Sequence, residues 1–439
     1  MQREIQVNER PAFGPGLLLS LQHLFAMFGS TVLVPNLFGV DPSVILLMNG
    51  IGTLLYILIC KGKIPAYLGS SFAFLVPVGA VLVTPGNMDN YSKALGAFIV
   101  IGVVFIIVAG IVKIAGTRWI DFMFPPVVMG CIVALIGLEL LPVAANLAGL
   151  LGTTDATTGV VTYSSNAIII SIVTLAVTVL GAVLFRGFPK IIHILIGIAV
   201  GYIVAYFMGE VNTAAVAEAS FLSWPDFSAP TWDIAAILMI LPAALVVIVE
   251  HVGHLLVTSN IVGKDLSKDP GLHRSLLGNG VSTVLSGFVG STPNTTYGEN
   301  IGVMALTRVY SVFVVGGAAV IAILLSFSGT FSAAVANIPG PVMGGVSLLL
   351  FGVIAVSGLR IFVEQKVDFS KSVNMLLAAV ILGTGLSGIT LTIGQVSLKG
   401  MALATIVGIL VNLIFRLIQM FGLSNEPEEI ETETKTPDI

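Results

Sequence analysis

A run of roughly 20 apolar residues without a charge recurs about fourteen times along this chain, and that repetition constrains its fold more than any other feature. A hydrocarbon core about 30 Å thick is crossed by about 20 helical residues, so each run is a candidate transmembrane helix. The runs begin near Gly14, Ser43, Ala66, Ala94, Pro126, Ala167, Ile191, Ile234, Leu276, Ser291, Tyr310, Gly340, Ser372 and Leu398. Of the 439 residues 56% are hydrophobic and only 10% charged, which excludes a soluble domain, where about a quarter are charged. The runs are continuously apolar rather than alternating, which excludes a transmembrane β-barrel. The 48 glycines suit helices that must approach closely without help from water. The predicted class is an all-α integral membrane protein in the lipid bilayer.

With the N-terminus inside, every Lys and Arg except Lys93 and Lys399 falls in an inner segment. That asymmetry is the one expected of cytoplasmic loops, so both termini are predicted to be cytoplasmic in a multi-pass protein of the cell membrane. The first run is too long for the apolar region of a cleavable signal and carries Gln22 and His23, so it reads as a retained helix. Cys60 and Cys131 lie in or beside apolar runs, show no disulfide or zinc spacing, and read as packing residues. The segment after Asn425 is acidic and without apolar periodicity, a solvated tail. Nothing in these patterns calls for a metal, a cofactor or nucleic acid.

Fourteen spans divide into seven and seven, and because seven is odd the second half must enter the membrane from the opposite side. That is the inverted repeat of many secondary transporters, whose sites lie at midplane on interrupted helices. The first span of each half carries polar residues and reads as broken by them: Gln22 and His23 in span 1, Glu250, His251 and His254 in span 8. The third spans are interrupted more severely. Span 3 opens IPAYLGSSF from Ile64, and span 10 opens TPNTTYGEN from Thr292. In each, a proline stands five residues before a small residue, Ser70 or Gly298. Proline removes a backbone donor and glycine permits angles a helix does not adopt. Extended backbone at membrane depth survives only where it lines a cavity or is buried in protein. The helix that restarts beyond it points unpaired N–H groups into that cavity, a seat for carbonyl oxygens.

Three acids fall inside spans: Glu139, Glu250 and Glu299. An ionisable group at membrane depth is costly and marks a pathway or relay by default. Glu250 and Glu299 sit in the symmetric broken spans and are the functional candidates. Glu139, near Pro142 and an outer loop, reads as a snorkelling or capping residue. His254 lies one turn after Glu250 on the same face and is its readiest partner. His251 points elsewhere and reads as helix packing, and His193 and His273 lie near inner loops without a special signal. Gln22 and His23 fit site lining and structural hydrogen bonding equally well.

The run ENIGVMALTR from Glu299 to Arg308 resembles the signature of the nucleobase–ascorbate transporter family: an acid or glutamine, Asn, any residue, Gly, four residues, then Thr and a basic residue. HLFAMFGSTVLVP, CKGKIPAYLGSSFAF, VVIVEHVGHL and GSTPNTTYGENIGVMA are similar to its bacterial uracil-carrying members, and the likeness covers all but the acidic tail. The resemblance implies fourteen spans in two inverted seven-span repeats, with a core domain from 14–117 and 234–328 and a gate domain from 118–208 and 329–422. The remaining ends, 1–13 and 423–439, are then cytoplasmic. Many members act as dimers, so a homodimer is expected. Carried over by position, substrate-binding acids fall on Glu250 and Glu299 and the proton-coupling histidine on His254. Backbone contacts fall on Phe72 and Gly298, with Ser71 and Tyr297 beside them. Ser30 falls on a lining position where close relatives can have alanine, and Phe351 where they carry tyrosine.

Residue 299 discriminates among cargoes. Purine-carrying relatives tend to have glutamine there, which both donates and accepts, whereas an ionised glutamate only accepts. Uracil offers two ring N–H donors and two carbonyl acceptors, a match for two carboxylates and two restarted-helix N–H groups. Cytosine replaces one donor with an acceptor and would leave a buried carboxylate mispaired. Two carboxylates in one poorly hydrated pocket repel each other, so the site is expected to retain a proton, and proton symport by alternating access follows. The alternatives are a carrier of xanthine, urate or thymine, or an anion exchanger of similar architecture, although acids in the site repel anions. A zinc protease fails on its motif, because the sequence reads Glu-His-x-x-His rather than His-Glu-x-x-His. A channel has no need of paired acids beside broken helices.

Overall fold

The computed structural model describes residues 4–154, 161–394 and 396–424. The first half runs α1 (Phe13–Ala26), α2 (Phe28–Phe38), α3 (Pro42–Ile59), strand β1 (Leu68–Ser70), a 3-10 turn (Phe72–Phe74), α4 (Leu75–Leu82) and α5 (Met88–Ala115). It continues through α6 (Arg118–Met123), α7 (Pro126–Leu147), the short strands β2 (Thr153–Thr154) and β3 (Val161–Thr162), α8 (Ser165–Leu184), α9 (Phe188–Ile191) and α10 (His193–Phe207). After the connecting helix α11 (Thr213–Glu218), the second half repeats the order except that its hairpin falls one helix later. A bent pair, α12 (Ile234–Ile240) and α13 (Pro242–Val262), leads to α14 (Leu272–Val289), strand β4 (Asn294–Thr296), α15 (Gly298–Thr307) and α16 (Val312–Ser326). Then follow α17 (Gly329–Ala336), α18 (Gly340–Glu364), α19 (Ser372–Leu386), the hairpin β5 (Thr390–Ile393) and β6 (Val396–Lys399), and α20 (Gly400–Met420).

The helices segregate into two packing groups. α3, α5, α14 and α16 pack on one another, with α1 along α16. α7, α8 and α10 pack with α18, and α19 packs against α7 and α20. The first group depends on glycine where backbones touch: a side chain at Gly102 would lie 2.7 Å from the Val284 nitrogen and 2.8 Å from the Gly280 oxygen. In the second, one at Gly137 would lie 2.3 Å from the Phe351 oxygen. Such close approach is how membrane helices gain van der Waals contact.

Each of the expected apolar runs coincides with a helical segment. Helix length alone does not yield fourteen spans: among the described residues eight helices are long and apolar enough to cross a membrane, or nine counting the pair α16 and α17, bent by 91°. Spans 3 and 10 account for part of the shortfall, because the strands β1 and β4 leave only the short helices α4 and α15 there, and α10 and α19 are apolar but only 15 residues long. The interruptions of the first spans also lie elsewhere than the polar residues suggested. Gln22 and His23 sit within α1, and the break falls at Met27. Glu250, His251 and His254 sit on unbroken α13, whose chain breaks at Leu241 just before Pro242. Proline at a first helical position has no N–H to lose, so a helix starts there readily.

The N-terminal segment is more than a tail. The Ile5 N–H donates to the Arg308 carbonyl (3.0 Å), Tyr310 N–H to Ile5 O (2.8 Å) and Val312 N–H to Val7 O (3.0 Å). Val7 is buried in an apolar cluster with Val262, Ile301 and Met304. Residues 5–9 thus strap the end of α15 to the start of α16. The acidic tail from 425 onward lies outside the described residues.

Candidate functional site

The site is built on the two interrupted spans. β1 and β4 pair antiparallel, with Leu68 opposite Thr296, Gly69 opposite Thr295 and Ser70 opposite Asn294. Two extended segments buried at membrane depth satisfy each other's backbone groups, and polar side chains from neighbouring helices supply the rest. Leu68 N–H donates to Thr53 Oγ1 (2.9 Å) on α3, and Asn294 N–H to Thr283 Oγ1 (3.3 Å) on α14. Ser71 N–H reaches Pro293 O (3.1 Å) and Tyr297 N–H reaches Tyr67 O (3.0 Å). The crossing is tight enough to require glycine at 69, where an added Cβ would sit 2.3 Å from the Tyr297 ring. Because the strands run antiparallel, the helices that restart after them, the turn at Phe72 and α15 at Gly298, bring two N-termini to one place from opposite directions. Their unpaired N–H groups are anion and carbonyl seats.

Glu299 occupies the first turn of α15, and Glu250 and His254 occupy one face of α13. α13 packs on both α15 and β4. All three side chains are half-buried while Gly298 is exposed, so this cluster borders open space rather than sealed interior. Glu250 and Glu299 lie within Coulombic reach of each other. Among the described residues Glu250 Oε2 has no hydrogen-bond partner although it is shielded from solvent. No Lys or Arg is among the buried polar residues described. Phe72 is half-buried, its ring edge-on to buried Phe351 of α18 at 5.6 Å and 87°, which sets an aromatic wall between the two helix groups. The aromatic character of position 351 is therefore used even without a hydroxyl.

Other expected residues take different parts. Ser71 Oγ caps the 3-10 turn, accepting from Ala73 N (3.4 Å). Tyr297 is 4% exposed, its hydroxyl donating to Ser70 O (3.1 Å) and its ring stacked on Tyr67, so that ring faces the protein and only its backbone meets the break. Ser30 lies in α2, and its side chain is outside the described residues. His23 is fully buried and accepts from Asn300 Nδ2 at Nδ1 (3.1 Å) and at its carbonyl (3.0 Å), tying α1 to the first turn of α15. Gln22 is buried with Oε1 lacking a partner among the described residues. His251 packs as expected, its Nε2 2.7 Å from Ser275 Oγ, which is itself 2.6 Å from Tyr56 OH. Glu139 is a cap: Oε2 accepts from Met401 N (2.9 Å) at the start of α20.

One pairing is corrected. The sequence makes Glu250 the readiest partner of His254, but the ring bonds through Nδ1 to Thr296 Oγ1 at 3.0 Å. Helical spacing registers neighbours along α13 and is blind to what β4 brings alongside. Sequence reading overlooked Thr296. Its one signal was a hydroxyl inside the interrupted segment, two residues before Gly298.

A family model described as "Permease family" matches residues 15–394. The chain is 59% identical to the uracil permease of Escherichia coli (strain K12), covering 100% of this chain and 99% of that protein. It is 58% identical to the uracil permease of Paenibacillus larvae subsp. larvae, covering 97% and 99%. Its fold is similar to the transmembrane domain of a cyanobacterium bicarbonate transporter, BicA, at a TM-score of 0.62 and 13% identity, covering 93% of this chain and 99% of that one.

Proposed function

The chain belongs to the permease family, the nucleobase–ascorbate transporters whose signature it carries, and from that premise we propose that it imports uracil together with protons. It is a transporter and not an enzyme. The observation that carries the choice of cargo is the pair Glu250 and Glu299, half-buried beside the restarted helices at Phe72 and Gly298. The carboxylates accept from the two ring N–H groups of uracil. N–H groups at Phe72 and Gly298 donate to its carbonyls, and the Phe72 ring covers an apolar face. The full names of the similar proteins support the same cargo.

The likeness to a bicarbonate transporter is one of fold, and the site argues against an anion: two acids and no buried cation among the described residues would repel it. Proton symport rests on the same pair. Bringing a second carboxylate into a poorly hydrated site is eased by a proton on the acids or on His254, so cargo and proton enter together. The core, 14–117 and 234–328, carries the site and moves against the gate, 118–208 and 329–422, with Phe72 and Phe351 meeting at their boundary. Cytoplasmic termini and a homodimer complete this reading.

Competition against labelled uracil in proteoliposomes tests the cargo. Unlabelled uracil is expected to block uptake, while cytosine, xanthine, urate and bicarbonate at about a hundredfold excess leave it nearly intact, since a mispaired buried polar group discriminates by that much or more. Xanthine competing as well as uracil would overturn the assignment.

A further inference from the structure

We infer that Thr296 is a positioning residue for His254, holding the imidazole by Nδ1 so that Nε2 faces the first turn of α15. The inference rests on the proton-symport reading above and adds to it the group that keeps the coupling ring in place.

The ring is held from two sides. Nδ1 lies 3.0 Å from Thr296 Oγ1. Thr258 Oγ1 also donates to the His254 carbonyl (2.7 Å), a bond within α13 that holds backbone rather than the ring. On the other edge, Nε2 sits 3.3 Å from where a Cβ on Gly298 would stand, so the ring fills space that glycine leaves. Thr296 is 4% exposed and is held by the strand ladder opposite Leu68, and a β-branched side chain has little χ1 freedom. Its hydroxyl is therefore a fixed post.

A hydroxyl is the one small group suited to a ring that changes charge. With the proton on Nε2, the neutral ring presents a lone pair at Nδ1, and the threonine O–H donates to it. When the ring gains a proton, Nδ1 becomes a donor and the same oxygen accepts. Rotation of one O–H bond serves both states without moving backbone. Along the elements that meet at the ring, the titratable groups are Glu250 and His251 on α13 and Glu299, next to Gly298, on α15, and a ring held at Nδ1 turns Nε2 toward Gly298. Thr296 also stands two residues before Gly298 and three before Glu299. The post that orients His254 thus belongs to the same short segment that seats the cargo, and a shift on binding reaches the ring directly.

Thr296→Val keeps the shape and removes the hydroxyl, whereas Thr296→Ser keeps the hydroxyl and removes the methyl. In purified protein, Thr296→Val is expected to retain thermal stability and equilibrium uracil affinity within about twofold. Proton-driven accumulation in proteoliposomes should fall about tenfold with a displaced pH profile, the loss of one hydrogen bond to an ionised group. Thr296→Ser should restore both. Thr296→Ala, which preserves strand pairing, is measured alongside and must show the same loss should the valine variant fail to fold. His254→Ala in the same assay separates the two layers. If it accumulates uracil as the parent does, the coupling reading fails and this inference with it. If it does not, while Thr296→Val behaves as the parent across the pH range, only the positioning role is wrong. A serine variant as impaired as the valine one would likewise overturn it, since methyl packing would then be the cause.

Discussion

Glu299→Gln is expected to weaken uracil binding about 100-fold while leaving the fold intact. The carboxylate stands in the first turn of α15, half-buried beside open space, and in the proposed complex it accepts a hydrogen bond from a uracil ring N–H. Glutamine has nearly the same shape but loses the charge and presents an NH₂ on one side. In one orientation it accepts more weakly, and in the other it sets donor against donor. A hydrogen bond to a charged group contributes about 1.5–3 kcal/mol, and each tenfold in affinity is about 1.4 kcal/mol, so the loss approaches two decades. Calorimetry on purified protein reads the affinity, and a thermal melt checks the fold. Affinity within threefold of the parent would remove residue 299 from the site.

The second large effect separates two residues one turn apart. Glu250→Ala should abolish both uracil binding and proton-driven uptake, because it deletes one of the two acceptors and half of the like-charged pair. His254→Ala should leave equilibrium binding within about threefold and cut accumulation against a gradient by at least tenfold. The difference follows from their surroundings. Glu250 Oε2 has no protein partner among the described residues and is free to serve the cargo, while His254 is already bonded at Nδ1 to Thr296. Binding, uptake and thermal stability on the same preparations divide the outcomes. If His254→Ala lowers stability and leaves accumulation intact, the ring only holds α13 to β4. If Glu250→Ala binds uracil as the parent does, the two-acid site is wrong.

Much of this was legible in the sequence because the membrane makes local signals strong. A charge-free run of about 20 residues has few folds open to it, and Pro293 and Gly298 inside such a run announce interruption. Glu139 near Pro142 was readable as a cap because an acid at a span end has only snorkelling and capping open to it. The structure selects capping, on Met401 of α20. What escaped was set by tertiary approach. The bends at Met27 and Leu241 carry no polar signal, and the histidines mistaken for breakers sit on helices bonded to other elements, His23 to Asn300, His251 to Ser275 and His254 to Thr296. The strap of residues 5–9 read only as part of a cytoplasmic end because five residues pairing with a segment about 300 positions away leave no periodicity. Thr296 escaped for the same reason: its partner lies across a strand–helix contact, and sequence spacing registers only neighbours along one element.

The inverted organisation explains why the site lies where it does. One interrupted span contributes an extended arm and a helix N-terminus. Its repeat contributes the same parts running the other way, and antiparallel pairing of β1 with β4 brings both N-termini together. Acids and the histidine come only from the second half, on α13 and α15, while the first half supplies Phe72 and the backbone beside it. On the proposed reading, a symmetric scaffold serves an asymmetric cargo: each repeat gives a backbone donor, at Phe72 and Gly298, and the second repeat alone gives the acceptors.

The most direct test of uracil–proton symport is accumulation of radiolabelled uracil in proteoliposomes holding only this protein, under imposed ion gradients. An inward proton gradient should drive internal uracil above its external concentration, and a protonophore added at the plateau should release it to equilibrium. Equal uptake with and without the proton gradient, or accumulation that follows an inward sodium gradient instead, would contradict the account.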